Sequence, residues 1–308
     1  MSYQLRQGES LGENLRRICR KQIEIAVAVA KGEKHCRETS VHETRKHLKK
    51  ARAALRLVCK EIGRGFFKDA DHCLRDVGRL VSEIRDAEVR LQTVRELQAI
   101  KQRRARNAYA KLETMMTLEL ENFLAAFAEW QAQALPLLEH ILSATGSWPL
   151  DHFNSKQLRR AVQRTYKRAR KALAEAKSDS SARNFHAFRI EAKTLLYQLR
   201  IVRPLNPVVL KNLSDELGAL SDLLGRAHDL SFLGERLRSE HGKSEWQREG
   251  HKLLAVVEVS QGDLQRGAAE LAERFFAERP RDFGARMTDW LDAWSKTDSP
   301  SVAEALVT

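Results

Sequence analysis

Chain-breaking residues are scarce: six prolines and fifteen glycines occur among 308 residues. That scarcity argues against a turn-rich sheet protein, and no stretch shows the sustained apolar–polar alternation of a half-buried strand. No run approaches eighteen consecutive apolar residues, so no membrane-spanning helix is expected. The opening MSYQLRQGESLGENLRR lacks the apolar segment of a secretory signal. Cys19, Cys36, Cys59 and Cys73 show neither C-x-x-C nor paired spacing, which excludes a disulfide framework and makes a reducing cytoplasm the expected compartment. A glycine-rich phosphate loop, a nucleophile elbow and an H-E-x-x-H helix are all missing. Aromatics make up 6% and do not interleave with basic rows, which weakens a single-stranded nucleic-acid reading. Trp130, Trp290 and Trp294 read as packing residues.

Metal chemistry has little support in the spacing. His42 and His47, five residues apart on one helix, point about 140° apart and cannot share an ion. The pair His228–Asp229 resembles part of a metal phosphohydrolase site, but His241 and His251 add no supporting pattern. No cofactor or metal is expected.

What is abundant is charge, and mostly of one sign. Charged residues make up 31%, with 54 Lys and Arg against 41 acids, a formal net charge of +13. Such an excess favours anionic partners if it is focused rather than spread. With 43% hydrophobic residues, the chain can also bury a sizeable core. Periodicity predicts helices over Ser10–Ala30, Ser40–Ile62, Phe67–Ala99, Gln102–Ala134, Ser155–Lys177, Arg183–Val202, Val208–Glu240 and Ser244–Glu278, with a last one after Pro280. Pro136 is expected to break the fourth or to start a short successor. The turn-rich SATGSWPLDHFN at 143–154 marks a boundary between residues 1–145 and 154–296, and 297–308 is expected to be a flexible tail.

The two parts repeat each other. VHETRKHLKKARAALRLV (41–58) aligns with FHAFRIEAKTLLYQLRIV (185–202) at an offset of 144, pairing His42 with His186, Arg45 with Arg189, Lys49 with Lys193 and Arg56 with Arg200. Downstream, 79–91 resembles 223–235, with Asp86 against Asp229. On a helical wheel at about 100° per residue, Val41, Thr44, Leu48, Ala51, Leu55 and Val58 share one arc. His42, Arg45, Lys49, Arg52 and Arg56 share the next. The second copy places Phe185, Phe188, Ala192, Leu195, Leu199 and Val202 beside His186, Arg189, Lys193 and Arg200. Solvated helix faces mix signs because like charges three or four residues apart repel. An unmixed cationic row costs stability that an anionic ligand would offset. A further helix, 155–173, carries Arg164, Lys167 and Arg168 among eight cations and no acid, and Arg16, Arg17, Arg20 and Lys21 echo it weakly in the first half.

The doubled His-x-x-Arg-x-x-x-Lys pattern, each copy followed by a helix with an Arg-Asp or His-Asp pair, resembles the CHAD family, the conserved histidine α-helical domain. The likeness spans roughly residues 8–295. It implies an all-α fold of two tandem four-helix bundles related by pseudo-twofold symmetry, with a basic central groove or pore. It also implies non-enzymatic binding of inorganic polyphosphate and association with polyphosphate granules. Carried over by match to the motif, the binding residues would be His42, Arg45, Lys49, Arg52, Arg56, His186, Arg189, Lys193 and Arg200, joined by Arg164, Lys167 and Arg168. Asp86 and Asp229 are left between orienting cations, capping turns and being ordinary surface acids. The second copy departs where Leu196 replaces Arg52, Thr194 replaces Lys50 and His228 replaces Arg85, so its grip is expected to be weaker. No triphosphate-tunnel pattern of Glu- and Arg-rich strands is visible, which suggests a stand-alone form. A helical nucleic-acid-binding protein is the alternative reading, and a phosphohydrolase a more distant one.

Overall fold

The computed structural model describes residues 3–33, 37–101, 109–127, 129–239 and 247–297. Among them every regular element is helical: α1 (Leu11–Ala30), α2 (Arg37–Val58), α3 (Arg64–Leu80), α4 (Ser82–Lys101), α5 (Ala110–Ala126), α6 (Trp130–Ala144), α7 (Ser155–Ser178), α8 (Ala182–Val202), α9 (Pro207–Ser239), α10 (Gln247–Phe275) and α11 (Pro280–Thr297). The segment expected to be a tail lies outside the described residues, apart from Thr297 at the end of α11.

Local chemistry sets the helix starts. The Ser10 hydroxyl accepts from the Glu13 amide at 3.2 Å while the Glu13 carboxylate accepts from the Ser10 amide at 2.8 Å, a capping box. Asn154 and Gln157 repeat the device at α7. Pro207 and Pro280 open α9 and α11, where a missing N–H costs nothing. Gly63, with φ of 82°, supplies the left-handed turn that leads into α3.

Three boundaries differ from the periodicity. The expected helix over Phe67–Ala99 is two helices, broken at Val81. There the Ser82 hydroxyl donates to the Arg79 carbonyl at 2.8 Å, and Arg45 reaches the Gly78 carbonyl at 3.5 Å, so side chains take up carbonyls that the broken helix frees. Gln102–Ala134 divides into α5 and α6, with residues 102–108 outside the described set. Pro136 lies inside α6 rather than breaking it. Both Pro136 and Ala132, whose carbonyl loses its partner, are exposed, so water can satisfy that carbonyl.

The packing carries the duplication into three dimensions. At the repeat offset α1 corresponds to α7 and α2 to α8; α1 packs on α2 as α7 packs on α8. The single α9 corresponds to the broken pair α3–α4. α6 packs on α1, and α11 on α7. The halves meet where α2 crosses α8 and where α4 runs beside α9. Every member of the two predicted apolar arcs is buried. So are Ala53, Ala54 and Leu57 of α2 and Leu196, Gln198 and Ile201 of α8, because these central helices bury a second side against the opposite half. The main core accordingly draws apolar residues from both halves, and a smaller cluster joins Leu91, Val94, Leu112 and Met116 to Leu230, Leu233, Leu253 and Val257. Gln198 donates to the Ala53 carbonyl at 3.1 Å, and the Leu5 amide to the Ile201 carbonyl at 3.0 Å, adding polar links between sequence-distant segments.

Candidate functional site

Where α2, α4, α8 and α9 converge they enclose an open cavity of about 370 Å³. Both repeat copies line it, with Arg45 and Arg189, Lys49 and Lys193, and Asp86 and Asp229 as equivalent pairs. α2 contributes His42, Arg45, Lys46, Lys49 and Lys50, and α8 contributes Arg189, Lys193, Tyr197 and Arg200. α4 adds Arg85, Asp86 and Val89, and α9 adds His228, Asp229 and Phe232. Eight Lys and Arg side chains thus face two carboxylates.

Little in the protein neutralises this lining. Lys46 pairs with Glu43 at 3.0 Å and Arg85 with Glu88 at 3.0 Å. Arg189 is half-buried, and its Nε has no hydrogen-bond partner among the described residues. Burial holds the guanidinium pKa values of Arg45 and Arg189 below the ordinary arginine value, while Asp86 and Asp229 respectively pull them back up. Burial also pushes both carboxyls up, against the pull of those same arginines. The two aspartates therefore stand in matching electrostatic relation to the two motif arginines, which favours the cation-orienting role over that of surface acids.

Lys49 is exposed, yet it stands in a concave wall crowded by protein and by cations. Its ammonium is pushed down to about 7, by desolvation first and then by Arg189, Arg45, Lys193 and Arg85. His42 and His186 are lowered by burial and then by neighbouring cations. His228 is driven to about 3, by burial and then by Arg189, and is neutral at pH 7. Its Nδ1 lies 3.3 Å from Nδ1 of His186 with ring centroids 4.5 Å apart, so one ring donates a hydrogen and the other offers a lone pair.

The twelve residues singled out by sequence do not all meet. His42, Arg45, Lys49, Arg189, Lys193 and Arg200 line the cavity. His186 lies behind His228, in a narrow neighbouring pocket. Arg52 is held by Asp71 through two contacts of 2.8 and 3.3 Å. Arg56 donates to the Thr194 hydroxyl at 3.0 Å and shares Glu191 with Arg168, at 3.7 and 3.3 Å. Arg164 is half-buried with Nη2 unpartnered, and Lys167 is exposed. None of these last five lines the cavity. Three of them, Arg52, Arg56 and Arg168, are tied to the carboxylates of Asp71 and Glu191.

Sequence reasoning missed Lys46, Lys50, Tyr197 and Phe232 as lining residues, and noted Arg85 and His228 in the pairs with Asp86 and Asp229 and as a mismatch between copies without counting them as binding residues. The signal for Arg85 and His228 was present: each immediately precedes the aligned aspartate. Lys46 and Lys50 lie past the edge of the cationic arc, and long flexible side chains bring them around. A second cavity of about 430 Å³ shares Arg85, Val89 and Asp229 and continues between α4, α9 and α10, where Arg226 is mixed with Glu96 and Asp263. No described helix is long and apolar enough to cross a membrane.

A family model described as CHAD domain matches residues 19–238. Among solved structures, the crystal structure of the CHAD domain from the plant Ricinus communis is similar with a TM-score of 0.57 and 22% sequence identity, covering 95% of each chain. A search of curated proteins finds no match.

Proposed function

The chain belongs to the CHAD domain family, and we propose from that premise that it is a non-enzymatic module that binds inorganic polyphosphate in the cavity between α2, α4, α8 and α9. The reading treats residues 1–145 and 154–296 as two tandem units whose basic faces make one groove. The observation that carries it is the convergence of eight Lys and Arg side chains, drawn from both repeat copies, on one cavity. The family's association with polyphosphate supports the same choice. Polyphosphate carries about one negative charge per unit and has no bases to read, so its binder needs a row of cations and no specificity pocket. Arginine forks bind phosphate oxygens in pairs, and lysines add point charges. Arg52, Arg56, Arg164, Lys167 and Arg168 would take up a long chain that leaves the cavity. Binding of this kind would target the protein to polyphosphate granules.

The test is a competition titration with fluorescently labelled long-chain polyphosphate. Prebound polyphosphate should resist double-stranded DNA at equal phosphate concentration, and affinity should fall steeply as salt rises. Displacement by DNA at comparable phosphate would instead favour a nucleic-acid-binding protein. Release of orthophosphate on adding divalent metal would favour a phosphohydrolase.

Proton uptake is a second expected result. Lys49, at about 7 in the free protein, is mostly neutral at pH 8. Bound phosphate favours the ammonium, so binding at pH 8 should draw protons from the buffer. Affinity should rise as pH falls from 8 to 6, by at most about tenfold per proton per unit. Calorimetry in two buffers of different ionisation enthalpy reads this directly; identical heats would remove Lys49 from the contact. In the free protein the sign differs. The unfolded chain keeps that proton up to the ordinary lysine value, so between pH 7 and 10 this group makes stability rise with pH.

A further inference from the structure

Away from the cavity, α3 and α6 pack together and bring three side chains of different chemistry to one place. Asp69 and Cys73 are one helical turn apart on α3 and so share a face. His140 comes from α6, 71 positions from Asp69 in sequence, and its Nε2 lies 2.9 Å from Asp69 Oδ2. The carboxylate oxygen, the thiol sulfur and the imidazole nitrogen all lie within 4.8 Å of one another.

We propose that Asp69, Cys73 and His140 form a site for a borderline transition-metal ion, Zn²⁺ above all, that clips α3 to α6. The donor set selects the metal class. One sulfur, one imidazole nitrogen and one carboxylate oxygen suit Zn²⁺ and Co²⁺, whereas Mg²⁺ and Ca²⁺ take all-oxygen sets. The distances are within reach. Tetrahedral zinc with bonds of about 2.0–2.3 Å holds its ligand atoms roughly 3.3–3.6 Å apart, so separations that all lie within 4.8 Å need close by no more than about 1.5 Å, and the 2.9 Å Asp69–His140 contact opens slightly. The side chains divide the work. Cys73 is half-buried and packed against the main core, which anchors the sulfur. Asp69 and His140 are exposed and free to swing inward. On binding, the Cys73 thiol gives its proton to solvent as the sulfur–metal bond forms, and the His140–Asp69 hydrogen bond is exchanged for two metal bonds. A fourth position stays open to water. Sequence spacing gave no sign of this site, because its third member comes from a helix far along the chain.

The experiment uses the full, reduced, tag-free chain titrated with Co²⁺ and then Zn²⁺. The expected result is one equivalent of Co²⁺ bound with a thiolate-to-cobalt absorption band. Zn²⁺ should bleach that band and raise Tm by several degrees. Cys73→Ser, a near-isosteric change, should remove the band, and His140→Ala should remove the Tm gain; circular dichroism checks that both variants fold. Three outcomes overturn the proposal: no binding at one equivalent, a band unchanged in Cys73→Ser, or metal binding lost in His228→Ala but kept in His140→Ala. The site is independent of the polyphosphate reading, and polyphosphate titrations of Cys73→Ser and His140→Ala should match the parent chain.

Discussion

Replacing Arg45 and Arg189 together by glutamate is expected to weaken polyphosphate binding by about 10²–10⁴-fold, with the far-UV circular dichroism unchanged. Each arginine stands at the same place in its repeat copy, and both line the one cavity. A hydrogen bond to a charged group contributes about 1.5–3 kcal/mol, so losing two costs about 3–6 kcal/mol. At about 1.4 kcal/mol per tenfold, that is two to four orders of magnitude, before the new repulsion is counted. The fold should tolerate the change because neither guanidinium holds much of it together. Among the described residues Arg45 makes a long contact of 3.5 Å to the Gly78 carbonyl, and the Arg189 Nε has no partner. A second carboxylate beside Asp86 or Asp229 is unfavourable, so glutamine at both positions is the control that separates loss of charge from local repulsion. Polarisation titration at about 0.1 M salt reads the result. Affinity retained within tenfold of the parent would place the contact elsewhere, and Arg52, Arg56, Arg164, Lys167 and Arg168 would be the next group to reverse.

Phe188→Ala should cost about 3–5 kcal/mol of stability, the range for removing a fully buried aromatic. Phe188 is 0% exposed and meets Phe276 edge-on at 6.1 Å. Phe276 in turn lies 5.2 Å from Tyr166, which stacks on Phe283 at 4.3 Å. This chain of rings joins α7, α8, the end of α10 and α11, and these helices hold Arg189 and Lys193 at their places in the cavity wall. The aligned position in the first copy is Thr44, equally buried but with no ring. The first copy therefore has no equivalent of this ring at the aligned position. Urea denaturation checks the magnitude, and a loss below about 1 kcal/mol would mean that the rings are not the anchor. Phe188→Leu should cost markedly less, since most of the volume is kept.

Much of the local structure was legible because it rests on short-range rules. The first helix beginning at Ser10, the last one after Pro280 and the arcs of α2 and α8 as buried stripes follow from local pattern. All of these were realised. The division of 67–99 was not legible, because no proline or glycine stands at the break; the Ser82 hydroxyl takes up the Arg79 carbonyl there, and Arg45 of another helix adds only a long contact of 3.5 Å to the Gly78 carbonyl. Pro136 misled for the opposite reason: whether an interior proline breaks a helix depends on whether water can reach the freed carbonyl, and burial decides that.

By itself the sequence determined the helical class, the duplication and the cationic row beside each buried stripe, since periodicity and repeat offset are properties of the chain alone. It could not determine which cations meet. A wheel angle gives the direction a side chain leaves its helix, not what lies opposite. Packing α2 across α8 through Ala53, Ala54 and Leu196 sets that, and it brings Arg45 and Lys49 to the same cavity as Arg189 and Lys193 while leaving Arg52 with Asp71 and Arg56 with Thr194. The tertiary structure also depressed Lys49 to about 7, because only assembled neighbours can desolvate an ammonium and surround it with four other cations.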